Sequence, residues 1–415
     1  MHDIILLPMN LASEVKGLPH TDASWIQEVG DRFADRWTKI IPRHEFLQVM
    51  RNDFTKLSNS AIGTLINECA RIMPEVVGAA QDWTDVQLQN LGVRIVSNMT
   101  GLLAAGPKLA HDSRWGALAS THIYNVARTA WKIWMKPWYL RRPYGLFAPE
   151  LKKLDQDKRE MRAILEPIVN ERTNNPTGTK PTDILGAILA QKPATVGDLT
   201  DDMLALVVLA IHTTTTTLTD ILIRLAAHPQ YQATLLEEIE QALRGRMFAE
   251  LTVADLISLQ KLDSFIKEGQ RLSPTVDLSL VRRVNRPGGI PLSNGTLLPQ
   301  GTFIGTSGAG IFRDPRVFPE PQAFDGLRFY KLRQQPGHAH KHQFVSLSDY
   351  DTQFGAGIQP CAGRMLVSNE IKIVMAYILL HYDIDAHSES EETMTNVGTK
   401  PKASMRVRRK AGTSS

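Results

Sequence analysis

The chain has 415 residues, of which 43% are apolar and 22% are charged. These are ordinary globular fractions, so the composition excludes a disordered, collagen-like or coiled-coil protein. The two cysteines, Cys69 and Cys361, are too few for a disulfide scaffold or a four-cysteine zinc site. The net charge of +4 is small and lies partly in a basic stretch at 406–410, so we expect no nucleic-acid partner.

The apolar run at residues 4–9 is short. A membrane span needs roughly 20 apolar residues. The run also lacks the basic flank and small-residue cleavage site of a signal peptide. We therefore expect no membrane span in this chain. Because patterned sequence begins at once, we also expect that a segment upstream of Met1 is missing.

Helical patterns dominate the chain up to about residue 270. The spacing of apolar residues, with start and stop signals, predicts helices over 25–37, 44–73, 84–98, 111–134, 151–171, 201–227, 230–244 and 262–272. We expect the second to end before Pro74, and the third to be capped by Asp82 or Thr84. The helix at 201–227 is apolar nearly all round, which predicts that it lies deep in the fold.

After residue 275 the pattern changes to short β-like runs separated by proline and glycine. These runs predict strands at 279–284, 296–298 and 302–306, and a last helix at 364–381. No internal repeat or low-complexity linker divides the chain. The sequence therefore predicts a mostly helical fold with a small β portion, as a single domain over residues 1–415.

Cys361 lies in a glycine-rich stretch, residues 354–363, directly before the last predicted helix. Glycines let the backbone approach a bulky group closely, and a helix N-terminus favours the thiolate form of cysteine. A lone thiolate there can act as a nucleophile or as a metal ligand. The alternative is a buried and inert cysteine, which is the usual state of a free cysteine and is what we expect of Cys69.

Two weaker signals precede this loop. One histidine and five threonines, residues 212–217, interrupt the apolar helix, and threonine hydroxyls can bond to the carbonyl one turn earlier and bend a helix. Self-satisfied hydroxyls explain most of them, but such a bend can also open a groove for a small ligand or a proton. Glu268 and Arg271 share a helix face and, taken alone, form an ordinary pair.

In this order the three features resemble the cytochrome P450 family, in the group of ascomycete members associated with secondary metabolism. Cys361 matches the haem-ligand cysteine of the family motif. The other matching motif residues are Phe354, Gly357 and Gly363 in the cysteine stretch, Glu268, Arg271 and Arg328 as the family's structural triad, and residues 209–214 as its oxygen-activation stretch.

The resemblance implies the P450 fold, with haem b lying between the helix at 201–227 and the helix at 364–381. It implies that Cys361 ligates the iron, that O2 binds opposite, and that electrons come from an NADPH–cytochrome P450 reductase. Thiolate ligation favours O–O cleavage. It also implies a full-length protein at the endoplasmic-reticulum membrane, facing the cytosol. Relative to the family, the chain would lack the N-terminal anchor, helix A and the first sheet strands, which would leave a sheet edge unpaired.

The chain departs from the family pattern at two positions. His212 stands where many members carry an acid for proton delivery; because histidine can shuttle protons, we expect His212 and Thr213 to serve instead. Gln359 stands where the family usually has arginine or histidine facing a haem propionate, and glutamine carries no charge. Other cations are then needed for the propionates, and the candidates are Arg282, Arg283, Arg51 and Lys56.

The resemblance also indicates where a substrate would bind. The candidate pocket residues are Leu209, Ala210, Thr275, Val276 and Asp277. Mostly apolar, they suit a small apolar substrate, a terpenoid or polycyclic compound first and an alkaloid or polyketide second. The predicted function is a haem-thiolate monooxygenase. The alternatives are a desaturase, coupling or rearrangement enzyme of the same fold, and a haem-binding but inactive protein.

One further cluster stands outside these motifs. His338, His340 and His342 alternate in a loop rich in proline and glycine. Such a run could bind a metal ion, but we expect a solvated loop.

Overall fold

The computed structural model describes residues 3–78, 82–175, 180–192, 194–385 and 403–411. The helices before the long apolar segment are α1 (Met9–Lys16), α2 (Trp25–Arg32), α3 (Asp35–Thr38), α4 (His44–Asn52), α5 (Phe54–Ser60), α6 (Ile62–Val77), α7 (Leu88–Ala105), α8 (Pro107–Ala110), α9 (Ser113–Trp134), α10 (Trp138–Phe147), α11 (Leu151–Asn174) and α12 (Ile184–Gln191). Those that follow are α13 (Val196–Leu206), α14 (His212–Ala227), α15 (Gln232–Leu243), α16 (Val253–Ser258), α17 (Gln260–Leu272), α18 (Gly308–Phe312), α19 (Arg328–Arg333) and α20 (Arg364–His381).

Short strands form three small sheets. The strands are β1 (Ile4–Leu6), β2 (Ala23–Ser24), β3 (Thr84–Gln87), β4 (Leu278–Val284), β5 (Ile290–Pro291), β6 (Leu297–Leu298), β7 (Phe303–Ser307), β8 (Tyr382–Ile384) and β9 (Ser404–Arg409). The largest sheet has the order β1-β7-β4-β2, with β1 parallel to β7 and the other pairs antiparallel. A second has the order β3-β9-β8, and β5 pairs with β6. The prediction of a mostly helical fold with a small β portion is confirmed.

The predicted elements agree with the structure where local signals are strong. The last helix, α20, has the predicted bounds, and β4 and β7 lie within one residue of prediction. The single helix predicted over 44–73 is wrong: it is divided into α4, α5 and α6, and Pro74 lies inside α6. The helix predicted from residue 84 begins only at Leu88, because residues 84–87 form β3 against β9; neither Asp82 nor Thr84 caps it.

The long apolar segment is continuous from α13 through α14, but it is not α-helical throughout. It begins at Val196, where Thr195 and Asp198 form a capping box, rather than at Asp201. Residues Val207–Ile211 form a π-helical turn between the two α-helices. By length and composition, Val196–Ala227 could cross a bilayer, yet 72% of its most apolar window is buried inside the fold. Its apolar character is therefore explained by the core, as predicted.

The main hydrophobic core joins distant parts of the chain. One continuous cluster of buried side chains extends from Phe46 to Val407 and includes the inward faces of α6, α7, α13, α14, α17 and α20. A smaller cluster packs α1 against the β1-β7-β4-β2 sheet. A third connects Val208 of the π-turn to Ile40, Val126 of α9 and Leu154 of α11. The helices α9 and α11 therefore pack on the π-turn.

Helix α10 touches the rest of the fold through few side chains. Gly145 is its buried residue, and a β-carbon there would lie 2.1 Å from Nε1 of Trp37. The Trp37 ring belongs to a small cluster with Ala34, Ala130 and Ile133. Glycine at this position lets the indole seat directly against the α10 backbone.

We predict that Gly145→Ala displaces Trp37 and lowers the free energy of unfolding by about 1–3 kcal/mol, as overpacking does elsewhere. Urea unfolding followed by tryptophan fluorescence measures the change. The matched control is Gly116→Ala in the neighbouring helix α9, where nothing lies within 4 Å of the added carbon. Because alanine favours a helix over glycine, the control should gain about 0.5–1 kcal/mol. Equal effects of the two substitutions would contradict the prediction.

Candidate active site

The cysteine loop, residues 354–363, is held in an irregular conformation by its glycines. Gly355 and Gly357 have φ of +77° and +67°, a region that favours glycine. The amide of Cys361 donates to the carbonyl of Phe354 at 2.7 Å, which closes the loop. Phe354 is buried and packs edge-on against Phe344, with ring centroids 5.1 Å apart. This arrangement places Cys361 directly before α20.

The Cys361 side chain faces an internal space. It is exposed although protein atoms surround it on most sides. Burial raises the pKa of the thiol, against the opposing effect of hydrogen bonds from the amides of Gly363 and Arg364. Burial therefore opposes the preference for thiolate that the helix N-terminus and these amides provide. A β-carbon at Gly363 would lie 3.8 Å from both the sulfur and Phe54, so glycine keeps that space open.

Arg282 extends from β4 to the cysteine loop. Its side chain is only 1% exposed and donates to backbone carbonyls, among them Val15 at 2.7 Å and Lys16 at 3.1 Å. No carboxylate is recorded as its partner within the described residues, and burial lowers the pKa of Arg282 to about 10. The inward direction depends on a bulge between Ser279 and Arg282, where Leu280 has φ of +52°.

The other proposed propionate cations lie elsewhere. Arg283 is next to Arg282 in the strand, but its side chain lies on the partly exposed side and pairs with Asp31 at 2.9 Å. The structure therefore disfavours Arg283 as a propionate partner. Lys56 is exposed on α5, and Arg51 is exposed at the end of α4. Arg51 and Arg282 both lower the pKa of His20, whose burial is the larger cause. His20 thus shares a basic region with Arg282, and no local sequence pattern indicates this.

The π-turn opens the long apolar helix near its middle. Leu209 is 37% exposed although Val207, Val208 and Ile211 are buried, and Ala210 is partly exposed. At Leu209 the core helix is therefore not fully covered by its neighbours. Four threonine hydroxyls, of Thr213, Thr214, Thr216 and Thr217, bond back to carbonyls one turn earlier. The self-satisfied interpretation therefore explains most of the run, and the irregular π-turn lies directly before it, at Val207–Ile211.

His212 and Thr213 begin α14 directly after the π-turn. Burial lowers the pKa of His212, which favours its neutral imidazole. Its ring meets Tyr124 of α9 edge-on, with centroids 6.1 Å apart. Thr213 Oγ1 lies 3.3 Å and 3.4 Å from the carbonyls of Leu209 and Ala210, the longest of the threonine back-bonds.

The segment after α17 approaches the same helix. Thr275 Oγ1 lies 2.9 Å from Thr217 Oγ1, which ties this segment to α14. Val276 is 41% exposed, and Asp277 is exposed as well. Of the five predicted pocket residues, Leu209, Ala210 and Thr275 thus lie on or against the α14 region. The other two, Val276 and Asp277, directly follow Thr275 in the chain.

Glu268, Arg271 and Arg328 form a buried network. The Arg271 guanidinium donates two bonds of 2.8 Å to the Glu268 carboxylate, and Arg328 Nε donates to it at 3.1 Å and 3.2 Å. Both arginines also donate to the carbonyl of Ala323. The carboxylate is fully buried and neutralises part of their charge. The network therefore fixes the irregular chain that precedes the cysteine loop.

The histidine run lines a different cavity. His338, His340 and His342 border a space of about 1270 Å³ beside the Glu268 network, and Cys361 is not in its wall. His342 Nε2 lies 3.3 Å from His338 Nδ1. Over the described ranges, no group of three or more histidine, cysteine or acidic residues could hold a metal ion.

Comparison with known proteins identifies the family. The model of the family described as Cytochrome P450 matches residues 31–407. The chain belongs to the cytochrome P450 family. It is 31% identical to Cytochrome P450 monooxygenase BOA4 of Botryotinia fuckeliana over 391 residues, which are 92% of this chain and 78% of that protein.

Two further relatives agree with this assignment. Identity is 28% to Cytochrome P450 monooxygenase ascG of Acremonium egyptiacum, covering 94% of this chain and 79% of that protein. It is 29% to Cytochrome P450 monooxygenase ataF of Aspergillus terreus, covering 94% and 80%. The chain is therefore a cytochrome P450 monooxygenase of fungal type, and haem, a redox partner and O2 belong to its chemistry.

The residues of this P450 fit a haem group. A soft sulfur faces an internal space, which suits an iron ligand. Exposed apolar side chains on interior elements, such as Leu209, suit the apolar macrocycle. The buried Arg282, with no recorded carboxylate partner in the described part of the chain, suits an acidic substituent.

We predict that Glu268→Gln lowers the free energy of unfolding by about 3–5 kcal/mol, because it leaves the buried guanidinium of Arg271 and the partly buried one of Arg328 without a counter-charge. Chemical unfolding of the purified protein measures the loss. Glu75→Gln is the control, since Glu75 pairs with Arg71 and Arg94 at the surface and should contribute at most about 1 kcal/mol. A loss at Glu268 no larger than that at Glu75 would rule out the structural role.

Proposed function

We propose that this P450 binds haem b through Cys361 and inserts one oxygen atom of O2 into a small apolar secondary metabolite. Electrons would come from an NADPH–cytochrome P450 reductase. The observation that supports this most directly is the Cys361 thiol, held at the mouth of α20 and open to an internal space. The main core cluster, which extends from Phe46 to Val407, supports a single domain over residues 1–415.

The residues of the cysteine loop would hold the cofactor. Bound haem iron with a thiolate ligand supplies the activation of O2. Cys361 would ligate the iron, and coordination to a metal deprotonates a thiol whose pKa is otherwise raised. The amides of Gly363 and Arg364 would donate to the sulfur, and Phe354 and Gly357 would set the loop conformation. Arg282 would face a propionate.

His212 and Thr213 would move protons toward the site of O2 binding. A neutral imidazole can accept a proton at one nitrogen while it donates from the other, so the lowered pKa of His212 suits a relay. The Thr213 hydroxyl makes the longest back-bonds of the run and is the most readily released. Once released from these two carbonyls, its Oγ1–H would donate toward the side of the helix where Leu209 is exposed.

The pocket chemistry supports an apolar substrate. Leu209, Ala210 and Val276 offer apolar surface, whereas Thr275 is engaged by Thr217. Asp277 is exposed and is the charged member that could orient a hydroxyl or amine. We infer a terpenoid or polycyclic substrate. Product mass separates this from desaturation or coupling: a gain of one oxygen supports the proposal, and a loss of two hydrogens supports the alternative.

We predict that Cys361→Ala abolishes the Soret band that the reduced, CO-treated protein shows when a thiolate ligates the haem. The control is Cys69→Ala, because Cys69 is buried in α6 and burial raises its pKa, so it should keep the band. A wild-type protein with no such band, or a Cys361→Ala variant that keeps it, would overturn haem-thiolate ligation.

We also propose that the protein acts at the cytosolic face of the endoplasmic-reticulum membrane. The support is the surface of α10, where Trp138 is 79% and Phe147 84% exposed. Basic side chains accompany these rings, namely Lys132, Lys136, Arg141 and Arg142. Exposed aromatic rings beside basic residues are typical of segments that lie in the interface of an anionic bilayer.

We predict that Trp138→Ser combined with Phe147→Ser weakens binding to vesicles that contain anionic lipid by about tenfold or more, because two interfacial rings are lost. Vesicle co-sedimentation measures the change. Ile257→Ser, at an exposed apolar position on α16, is the control and should bind as the wild type. If the double variant binds equally, or if it changes only the oligomeric state, α10 does not contact lipid.

A further inference from the structure

Gln359 makes contacts that its position in the cysteine loop would not suggest. Its Nε2 donates to the carbonyl of Leu18 at 2.9 Å and to that of Ala23 at 3.1 Å. These two carbonyls lie at the two ends of the turn between α1 and β2, residues 17–22. One amide group therefore joins the cysteine loop to both ends of a separate turn.

The orientation of this amide is determined by its surroundings. Reversing it would place Oε1 against two carbonyl oxygens, which is repulsive, so the donor must face the turn. Oε1 is then left buried with no hydrogen-bond partner in the described part of the chain. An unpaired buried acceptor carries a free-energy cost, and it is retained here because the two N–H bonds require it.

Two neighbours reinforce the same junction. Arg282 donates to Leu18 at 3.4 Å, the carbonyl that Gln359 also uses, and to Val15 and Lys16. These carbonyls belong to the last turn of α1 and to the turn after it, and that of Val15 also accepts from the amide of Leu18 at 3.2 Å. Gly357 approaches so closely that a β-carbon would lie 2.1 Å from the Lys16 oxygen.

We propose that Gln359 is a positioning residue that clamps the cysteine loop onto the α1–β2 turn, and that it does so as a neutral donor rather than as a contact to a propionate. The proposal rests on Cys361 being the haem ligand. The clamp fixes the loop that carries Cys361, and so the position of its sulfur.

The neutrality of Gln359 follows from Arg282. Because both side chains donate to Leu18, a cation at 359 would lie beside a guanidinium that is already buried. Unless an anion lies between them, like charges in such a site repel each other. A neutral histidine could donate from only one nitrogen and could not reach both carbonyls. Among neutral side chains, the amides of glutamine and asparagine offer two N–H donors, and glutamine is the longer of the two.

The first test needs no haem. We expect Gln359→Met, which keeps the side-chain length and removes both donors, to speed amide hydrogen exchange in residues 17–24 by about tenfold, as loss of two hydrogen bonds allows. Gln353→Met is the matched control. Gln353 is a second amide beside the cysteine loop with no recorded partner among the described residues, so its replacement should leave this exchange unchanged. Unchanged exchange in Gln359→Met, or an equal rise in Gln353→Met, overturns the clamp.

The second test uses the holoenzyme. Gln359→Arg should reduce the fraction of CO-bound protein with the thiolate Soret band. The double variant Gln359→Arg with Arg282→Gln should recover part of that fraction, because it again has one cation and one amide at the two positions. If Gln359→Arg keeps or increases the band, position 359 tolerates a cation and the proposal is wrong. If the double variant recovers no part of the band, the argument from repulsion between the two charges is wrong. A wild-type protein with no such band would instead refute haem binding. The hydrogen-exchange measurement on Gln359→Met would still decide whether the clamp exists.

Discussion

Cys361 lies at the end of a long irregular segment whose buried carbonyls need hydrogen-bond donors. Between α18 and α20 the described chain contains one short helix, α19, so regular structure satisfies few of these groups. Side chains from α17 and β4 supply the donors instead. Arg271 donates to Phe312 and Pro321, Lys267 donates to Gln343, and Arg282 reaches Ala356. The position of Cys361 therefore depends on buried basic residues that never contact it.

Supplying donors from arginine brings charge into the interior, and the fold compensates for it in two ways. Glu268 neutralises the pair Arg271 and Arg328 directly, so that network is complete without a ligand. Among the described residues, the negative charge beside Arg282 is that of the C-terminal end of the α1 dipole, which amounts to about half a charge. The need for buried hydrogen-bond donors thus produces a purely structural network at Glu268 and, at Arg282, a cation suited to an anionic ligand.

Much of the fold and part of the site could be predicted from the sequence, and the division follows the range of the interactions. Helix α20 was predicted because its periodicity and its start after the glycines are local signals. The strand β3 was missed because it depends on pairing with β9, more than 300 residues later in the chain. Arg282 and Arg283 could not be told apart, since the bulge at Leu280 decides which one points inward. His20 had no signal at all, because it joins Arg282 only through the fold.

The two sides of the site differ in how firmly they are held. On the cysteine side, Gln359, Arg282 and the close approach of Gly357 fix the loop to α1 through backbone carbonyls. On the other side, a π-turn opens the core helix beneath α9, and α10 continues from α9 with a single glycine buried. Hydrogen bonds to backbone permit little movement, whereas an apolar surface with few contacts can repack around different shapes. A P450 built in this way holds Cys361 firmly while the apolar residues around the π-turn are free to repack, so under the proposed function selectivity for the substrate would depend on those residues rather than on the cysteine loop.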